Sequence, residues 1–246
     1  REALGPEGDL DGLLAADNRP PKVTLVARPG LCEPDELPGE AGRLSPYARI
    51  LDGGDPAAIP AVREGRAGVQ DEGSQLVALR LAEAELVGPD ERWLDLCAGP
   101  GGKAALLGAV AARRGASVVA NEVQPHRAEL VAAAVARLAN VTVTTEDGRS
   151  GPWEAGTFDR ILVDAPCTGL GALRRRPESR WRRSPADLDA LVPLQQALLA
   201  RALELVRPGG IVAYATCSPH VAETRDVVAS VGIEAESVLQ LWPHVD

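Results

Sequence analysis

The stretch Arg92-Trp93-Leu94-Asp95-Leu96-Cys97-Ala98-Gly99-Pro100-Gly101-Gly102-Lys103 decides how this chain is read. An apolar run ends at Cys97, a glycine-rich turn follows, and a helical pattern covers residues 103–113. Glycines in such a turn let backbone amides approach a ligand with no side chain in the way. Two phosphate-binding turns are excluded by residue type. A P-loop needs glycine at 97 and a Ser or Thr at 104 for magnesium, and the chain has Cys97 and Ala104. The dinucleotide pattern also fails, because Gly99-Pro100-Gly101 is followed by Gly102, Lys103 and Ala104. What remains is a turn with room for a nucleoside that carries no pyrophosphate.

Outward from this turn the chain alternates. Strand-like runs cover 92–97, 117–121, 141–145, 160–164 and 211–215, and helical patterns cover 103–113, 126–138 and 187–206. This βαβα order predicts an α/β fold with a parallel sheet. Ser184-Pro185-Ala186-Asp187 is a start signal for the last helix, and Arg207-Pro208-Gly209-Gly210 stops it. Asp95, Glu122, Asp147 and Asp164 each fall near a strand end, where open α/β sheets bind ligands. Glu122 lies roughly twenty residues past the glycines, where an acid can accept both ribose hydroxyls. Asp147 could meet an adenine amino group.

Residues 1–69 differ from the rest. Val23-Thr24-Leu25-Val26-Ala27 reads as a short strand, and residues 28–60 are dense in Pro and Gly, predicting turns and irregular connections. The expected division is a small N-terminal α+β module over 1–69, incomplete as it stands, and a larger domain over 70–246. Residues 70–75 lead into a helical pattern at 76–82. A strand-like start at residue 238 ends abruptly. With no Met and with Arg1 first, the chain reads as a fragment. The 246 residues are 45 % apolar and 3 % aromatic, so the core must be aliphatic. No apolar run of about 20 residues and no signal-peptide pattern is present, so the chain reads as soluble and cytoplasmic; a monomer is expected.

The four cysteines, Cys32, Cys97, Cys167 and Cys217, form no C-x-x-C, and His126, His220 and His244 make no ligand spacing with them. Neither zinc nor a disulfide framework is expected. Cys32 and Cys97 read as small buried hydrophobes. Cys167 and Cys217 differ, because each closes a strand-like run: Asp164-Ala165-Pro166-Cys167 and Thr216-Cys217-Ser218. Two such cysteines beside a nucleoside turn suggest thiol chemistry, one attacking and the other helping to finish. The net charge of −9 argues mildly against a nucleic-acid partner. Arg174, Arg175, Arg176, Arg180, Arg182 and Arg183 argue the other way; a solvated loop is the plain alternative.

These residues resemble the RNA cytosine-5 methyltransferases of the Sun/RsmB (Fmu) type over roughly residues 60–225. Asp95–Lys103 resembles the family's first cofactor motif, Asp164-Ala165-Pro166-Cys167-Thr168-Gly169 its fourth and Tyr214-Ala215-Thr216-Cys217-Ser218 its sixth. Val69-Gln70-Asp71 with Ser74-Gln75 resembles its entry motif, and Leu173-Arg174-Arg175-Arg176-Pro177 with Trp181 resembles the bacterial 16S ribosomal RNA enzyme. The resemblance implies a Rossmann-like S-adenosylmethionine-dependent methyltransferase fold behind a small RNA-binding module. It implies S-adenosylmethionine at Cys97, Ala98, Gly99, Pro100, Gly101, Gly102, Lys103, Glu122, Asp147 and Asp164. Cys217 is implied as the nucleophile and Cys167 as the cysteine that assists release; DNA cytosine-5 methyltransferases instead attack from the position of Cys167. Asp164 would hold the cytosine edge, the six arginines would grip RNA phosphates, and Trp181 would either stack on a base or pack in the core. The alternatives are an amino-group methyltransferase, whose pattern of Asn or Asp with two prolines and an aromatic is not matched by Asp164-Ala165-Pro166-Cys167, and a cofactor-binding ribosome-assembly factor without activity.

Overall fold

The computed structural model describes residues 9–233 and residue 235. The strand-like start at 238 and His244 lie outside the described residues. The chain runs through α1 (Leu10–Ala16), β1 (Thr24–Ala27), β2 (Glu40–Ala41), β3 (Ala48–Ile50), α2 (Pro60–Arg63), β4 (Ala67–Val69) and α3 (Glu72–Glu83). It continues through β5 (Arg92–Asp95), α4 (Gly102–Ala112), β6 (Ser117–Asn121), α5 (Pro125–Val135), β7 (Val141–Thr144) and β8 (Phe158–Asp164). The last elements are α6 (Ser179–Arg182), α7 (Asp187–Leu205), β9 (Val206–Ala215) and α8 (Arg225–Ser230).

Five strands form a sheet in the order β7-β6-β5-β8-β9. β5 pairs in parallel with β6 and with β8, and β6 pairs in parallel with β7. The expected α/β, Rossmann-like architecture is present. Its strands are legible because a parallel strand covered on both faces reads as an apolar run: β8 is buried from Phe158 to Val163 and apolar at Ile161, Leu162 and Val163, with Asp159 and Arg160 buried ahead of them. Trp93, Leu106, Leu107, Val118 and Leu162 pack with Leu79 and Leu81 of α3 in the largely aliphatic core. The start signal of α7 is half formed, since the Asp187 carboxylate accepts the Ser184 N–H at 2.7 Å. β9 begins at Val206, ahead of the apolar run at 211. Val87 extends it there by donating to the Gly209 carbonyl at 3.1 Å, a pairing no local pattern announces.

The other sheet has four strands in the order β2-β3-β1-β4, and all its pairings are antiparallel. Two of these strands lie in the segment expected to be irregular. β2 has two residues and β3 three, too short to show an alternating pattern among prolines and glycines. By its internal packing the chain divides into two compact units. Residues 22–164 and 201–213 form one, so both the antiparallel sheet and most of the parallel one belong to it. The other comprises 165–200 with the described residues before 22 and after 213. No described helix is long and apolar enough to cross a membrane.

Candidate active site

The glycine turn joins β5 to α4. Gly101 caps the helix at φ +107°, a left-handed conformation, and a Cβ there would lie 2.6 Å from the Ala134 Cβ. A Cβ on Gly99 would collide with the Glu122 carboxylate. Glu122 is buried just past β6 and accepts the Gln124 N–H at 3.0 Å. Arg127 steadies both, donating to the Gly99 carbonyl at 2.7 Å and lying 3.5 Å from Glu122 Oε2. Lys103, in the first turn of α4, pairs with Asp164 at the end of β8 across 2.7 Å. Asp147 follows β7, but Arg149 occupies both of its oxygens and holds its pKa down to about 2.

Beside the turn are buried acceptors with no well-formed hydrogen bond: Asp95 Oδ1 and Oδ2, with the Cys97 N–H the one donor near that carboxylate, and Gln70 Oε1. Asp95 is fully buried at the end of β5. Burial, then the charge of Asp164, push its pKa up to about 7 against the pull of Lys103. Gln70 packs against Gly102, 3.7 Å from where a Cβ would stand. Orphaned buried acceptors are rare in folded proteins. A cationic ligand that brings N–H donors into the turn would satisfy them, which fits the ammonium group of S-adenosylmethionine. Burial also pushes the Cys97 thiol up, consistent with a packing role.

In the other unit, the loops that follow β8 and β9 bring Cys167 and Cys217 together. Their sulfurs are 3.4 Å apart. Cys217 is exposed and Cys167 partly so. The neighbouring Cys217 sulfur, then burial, hold the Cys167 thiol far above the usual thiol range. The two thiols are within hydrogen-bond reach, and either can donate to the other.

A residue that the sequence reading passes over fastens these two loops. Glu223 is completely buried. Its carboxylate accepts the Thr168 N–H at 2.8 Å, the Thr168 hydroxyl, and the Gln195 amide at 3.0 Å. Thr168 Oγ1 and Ser218 Oγ are 3.0 Å apart, linking the residue after Cys167 to the residue after Cys217. Gln195 also donates to the Pro166 carbonyl at 2.9 Å. Burial raises the Glu223 pKa, but the bonds from Ser218, Thr168 and Gln195 outweigh it and leave the group below its usual range. The only trace of this in sequence is a lone acid shortly after Thr216-Cys217-Ser218.

Within the same unit, part of the basic run contacts the segment ahead of β1. Arg180 donates to Asn18 Oδ1 at 2.8 Å and to the Asp17 carbonyl at 3.1 Å, while Arg174 and Arg175 reach the Arg19 and Pro21 carbonyls at 3.5 Å. Arg183 lies 4.0 Å from Asp187. Arg176 and Arg182 are exposed. Trp181 is 88 % exposed, which removes the core role and leaves a ring open to solvent. Among the described residues no cluster of His, Cys, Asp and Glu could hold a metal ion.

A parallel α/β sheet with a glycine turn after β5 and a buried acid after β6 defines a Rossmann-like methyltransferase domain. A family model described as 16S rRNA methyltransferase RsmB/F matches residues 85–243, and the chain belongs to that family, whose methyl donor is S-adenosylmethionine. A protein of Mycobacterium tuberculosis named as a methyltransferase is 50 % identical over 268 residues, covering 99 % of this chain and 58 % of the relative. Ribosomal RNA small subunit methyltransferase B of Salmonella paratyphi B is 36 % identical over 226 residues, covering 87 % and 51 %. The chain thus spans little more than half the length of these relatives. Among solved structures, PH0851 superposes with a TM-score of 0.81 at 26 % identity, covering 95 % of this chain and 55 % of that one. A methyltransferase homologue from Pyrococcus horikoshii gives 0.71 at 24 %, covering 87 % and 70 %, and supports the fold.

Proposed function

We propose that the protein methylates carbon 5 of a cytosine in RNA, with small-subunit ribosomal RNA as its substrate, through a covalent adduct on Cys217. The observation that carries this reading is the pair of thiols, 3.4 Å apart, on loops held by one buried carboxylate. Carbon 5 of cytosine is a weak nucleophile. The Cys217 thiolate adds to carbon 6, and the electron pair displaced from the ring double bond makes carbon 5 nucleophilic. Once carbon 5 carries the methyl group, its proton passes to water, the C–H electron pair re-forms the ring double bond, and the carbon 6–sulfur bond breaks to return the Cys217 thiolate; Cys167 assists this release. Asp164, with one oxygen already held by Lys103, is assigned to the cytosine edge at ring nitrogen 3, where it steadies charge as the adduct forms. The target base has to be unstacked for the thiol to reach it.

S-adenosylmethionine supplies the electrophilic methyl group when bound. The turn from Cys97 to Lys103 would approach it with backbone amides, Glu122 would take the ribose hydroxyls, and Asp95 with Gln70 would take the ammonium. A carboxylate accepts more hydrogen bonds than Arg149 supplies, so Asp147 retains capacity for the adenine amino group. On this reading the protein works in the cytoplasm, as a monomer. The test is to incubate it with labelled S-adenosylmethionine and small-subunit ribosomal RNA and to map the modified base. Label on an exocyclic amine would favour the amino-group reading, and no label at all an inactive assembly factor.

Two further outcomes are expected. Glu122→Ala should weaken S-adenosylmethionine binding by about 1–3 kcal/mol through loss of a buried charge-assisted hydrogen bond. Calorimetry alongside a melting curve checks this; unchanged affinity in a folded variant removes Glu122 from the site. Replacing Arg174, Arg175 and Arg176 together with Ala should weaken RNA binding and flatten its salt dependence by roughly 0.7–0.9 in slope for each phosphate no longer neutralised. Cofactor affinity should stay as it was. Identical salt titrations would reduce the run to a partner for residues 17–21.

A further inference from the structure

A second cluster of arginines lies at the opposite end of α5 from Glu122. Arg28 follows β1, Arg63 ends α2, and Arg137 lies just past α5; the three border a cavity of about 550 Å³. α5 has 11 residues, so its ends are separated by about 16 Å at 1.5 Å per residue. The one carboxylate in the lining, Glu64, pairs with Arg66 Nε at 2.8 Å and also feels the charges of Arg137 and Arg63. Among the described residues none of the three arginines is in an ion pair.

Arg28 is the unusual member. It is 7 % exposed. Its two hydrogen bonds both leave from Nη1, to the carbonyls of Gly65 and Ala134 at 2.7 Å each. Nε is buried without a partner. Carbonyl oxygens satisfy hydrogens but do not neutralise a full charge, and a buried charge ordinarily has an ionic partner. Arg63 and Arg137, both exposed, add two further cations beside it. In a chain of net charge −9 this is a local reversal of sign. An adjoining cavity of about 470 Å³ shares Arg137 and is bordered by Pro29, Leu31 and Leu138. The arrangement is an anion pocket beside an apolar one.

We propose that the Arg28–Arg63–Arg137 cavity binds a phosphate group of a nucleotide, with the nucleoside lying against Pro29, Leu31 and Leu138. The phosphate comes from an RNA chain or from a free mononucleotide; only the first source rests on the RNA reading above. The fork of a guanidinium suits phosphate oxygens, and a buried one is already desolvated and fixed.

The test compares the full chain with the double variant Arg63→Ala/Arg137→Ala, whose two side chains are exposed and outside the proposed reaction site. The probes are a fluorescein-labelled single-stranded RNA and adenosine monophosphate. The expected result is weaker RNA binding in the variant and a salt slope smaller by about 0.7 for each phosphate no longer neutralised. S-adenosylmethionine affinity should not change. If the RNA curves coincide but the variant loses adenosine monophosphate binding, the pocket stands with a free nucleotide as its occupant. If neither probe distinguishes the proteins, the proposal is wrong. If the unaltered chain binds no RNA, the RNA reading fails, and the adenosine monophosphate arm still judges the pocket. Arg63→Lys/Arg137→Lys, which keeps the charge, should restore most of the binding.

Discussion

Cys217→Ala is expected to remove methyl transfer and any denaturation-resistant protein–RNA complex together. No other sulfur could then add to carbon 6 from the same loop. Cys167→Ala is expected to behave differently. It should still attack and transfer the methyl group to the base, but release product poorly, so a covalent complex should build up on a denaturing gel. The structure supplies a reason for this asymmetry. Cys217 is the exposed member of the pair, and the Cys217 sulfur 3.4 Å away, with burial, pushes the Cys167 thiol up. Removing Cys167 also takes a hydrogen-bond partner from Cys217, so the first addition should slow as well. An adduct that persists in Cys217→Ala and disappears in Cys167→Ala would exchange the two roles. Normal turnover in both variants would rule out covalent chemistry.

The parallel sheet was legible in sequence because its central strands are buried on both faces, as β8 is from Phe158 to Val163. The glycine turn was legible because Gly101 occupies a conformation that side chains avoid. Other features depend on partners far along the chain. Val87 and Gly209 extend β9 by a bond between segments that carry no strand pattern. Arg28 looks like an ordinary surface cation until the carbonyl of Ala134 is brought to it. The basic run was visible, but its bonds to residues 17–21 were not. The two cysteines could be singled out by their positions after strands. The residue that fastens their loops could not, since Glu223 acquires its partners only when residues 168, 195 and 218 converge.

Glu223→Gln is expected to slow adduct formation by tenfold or more, on the order of 1.4 kcal/mol, while leaving S-adenosylmethionine affinity unchanged. The carboxylate receives the Thr168 amide, the Thr168 hydroxyl and the Gln195 amide in a site without solvent. A glutamine keeps one acceptor oxygen and turns the other position into a donor facing donors, so at least one buried group loses its partner. The loops bearing Cys167 and Cys217 would then lose the shared anchor between Thr168 and Ser218. The charge contributes to stability in a defined window. The Glu223 pKa lies below the 4.5 of a free glutamate, so its contribution is complete above pH 4.5 and is lost as pH falls through the lower folded value. Glu223→Gln should therefore lower the melting temperature at pH 7 and flatten its fall in acid. A merely structural part would show in the melting curve alone. The positioning role requires in addition that, at a temperature where the variant is fully folded, alkylation of Cys217 by iodoacetamide and adduct formation with RNA both change while cofactor binding does not. Unaltered thiol reactivity and adduct rate in the folded variant would confine Glu223 to stability.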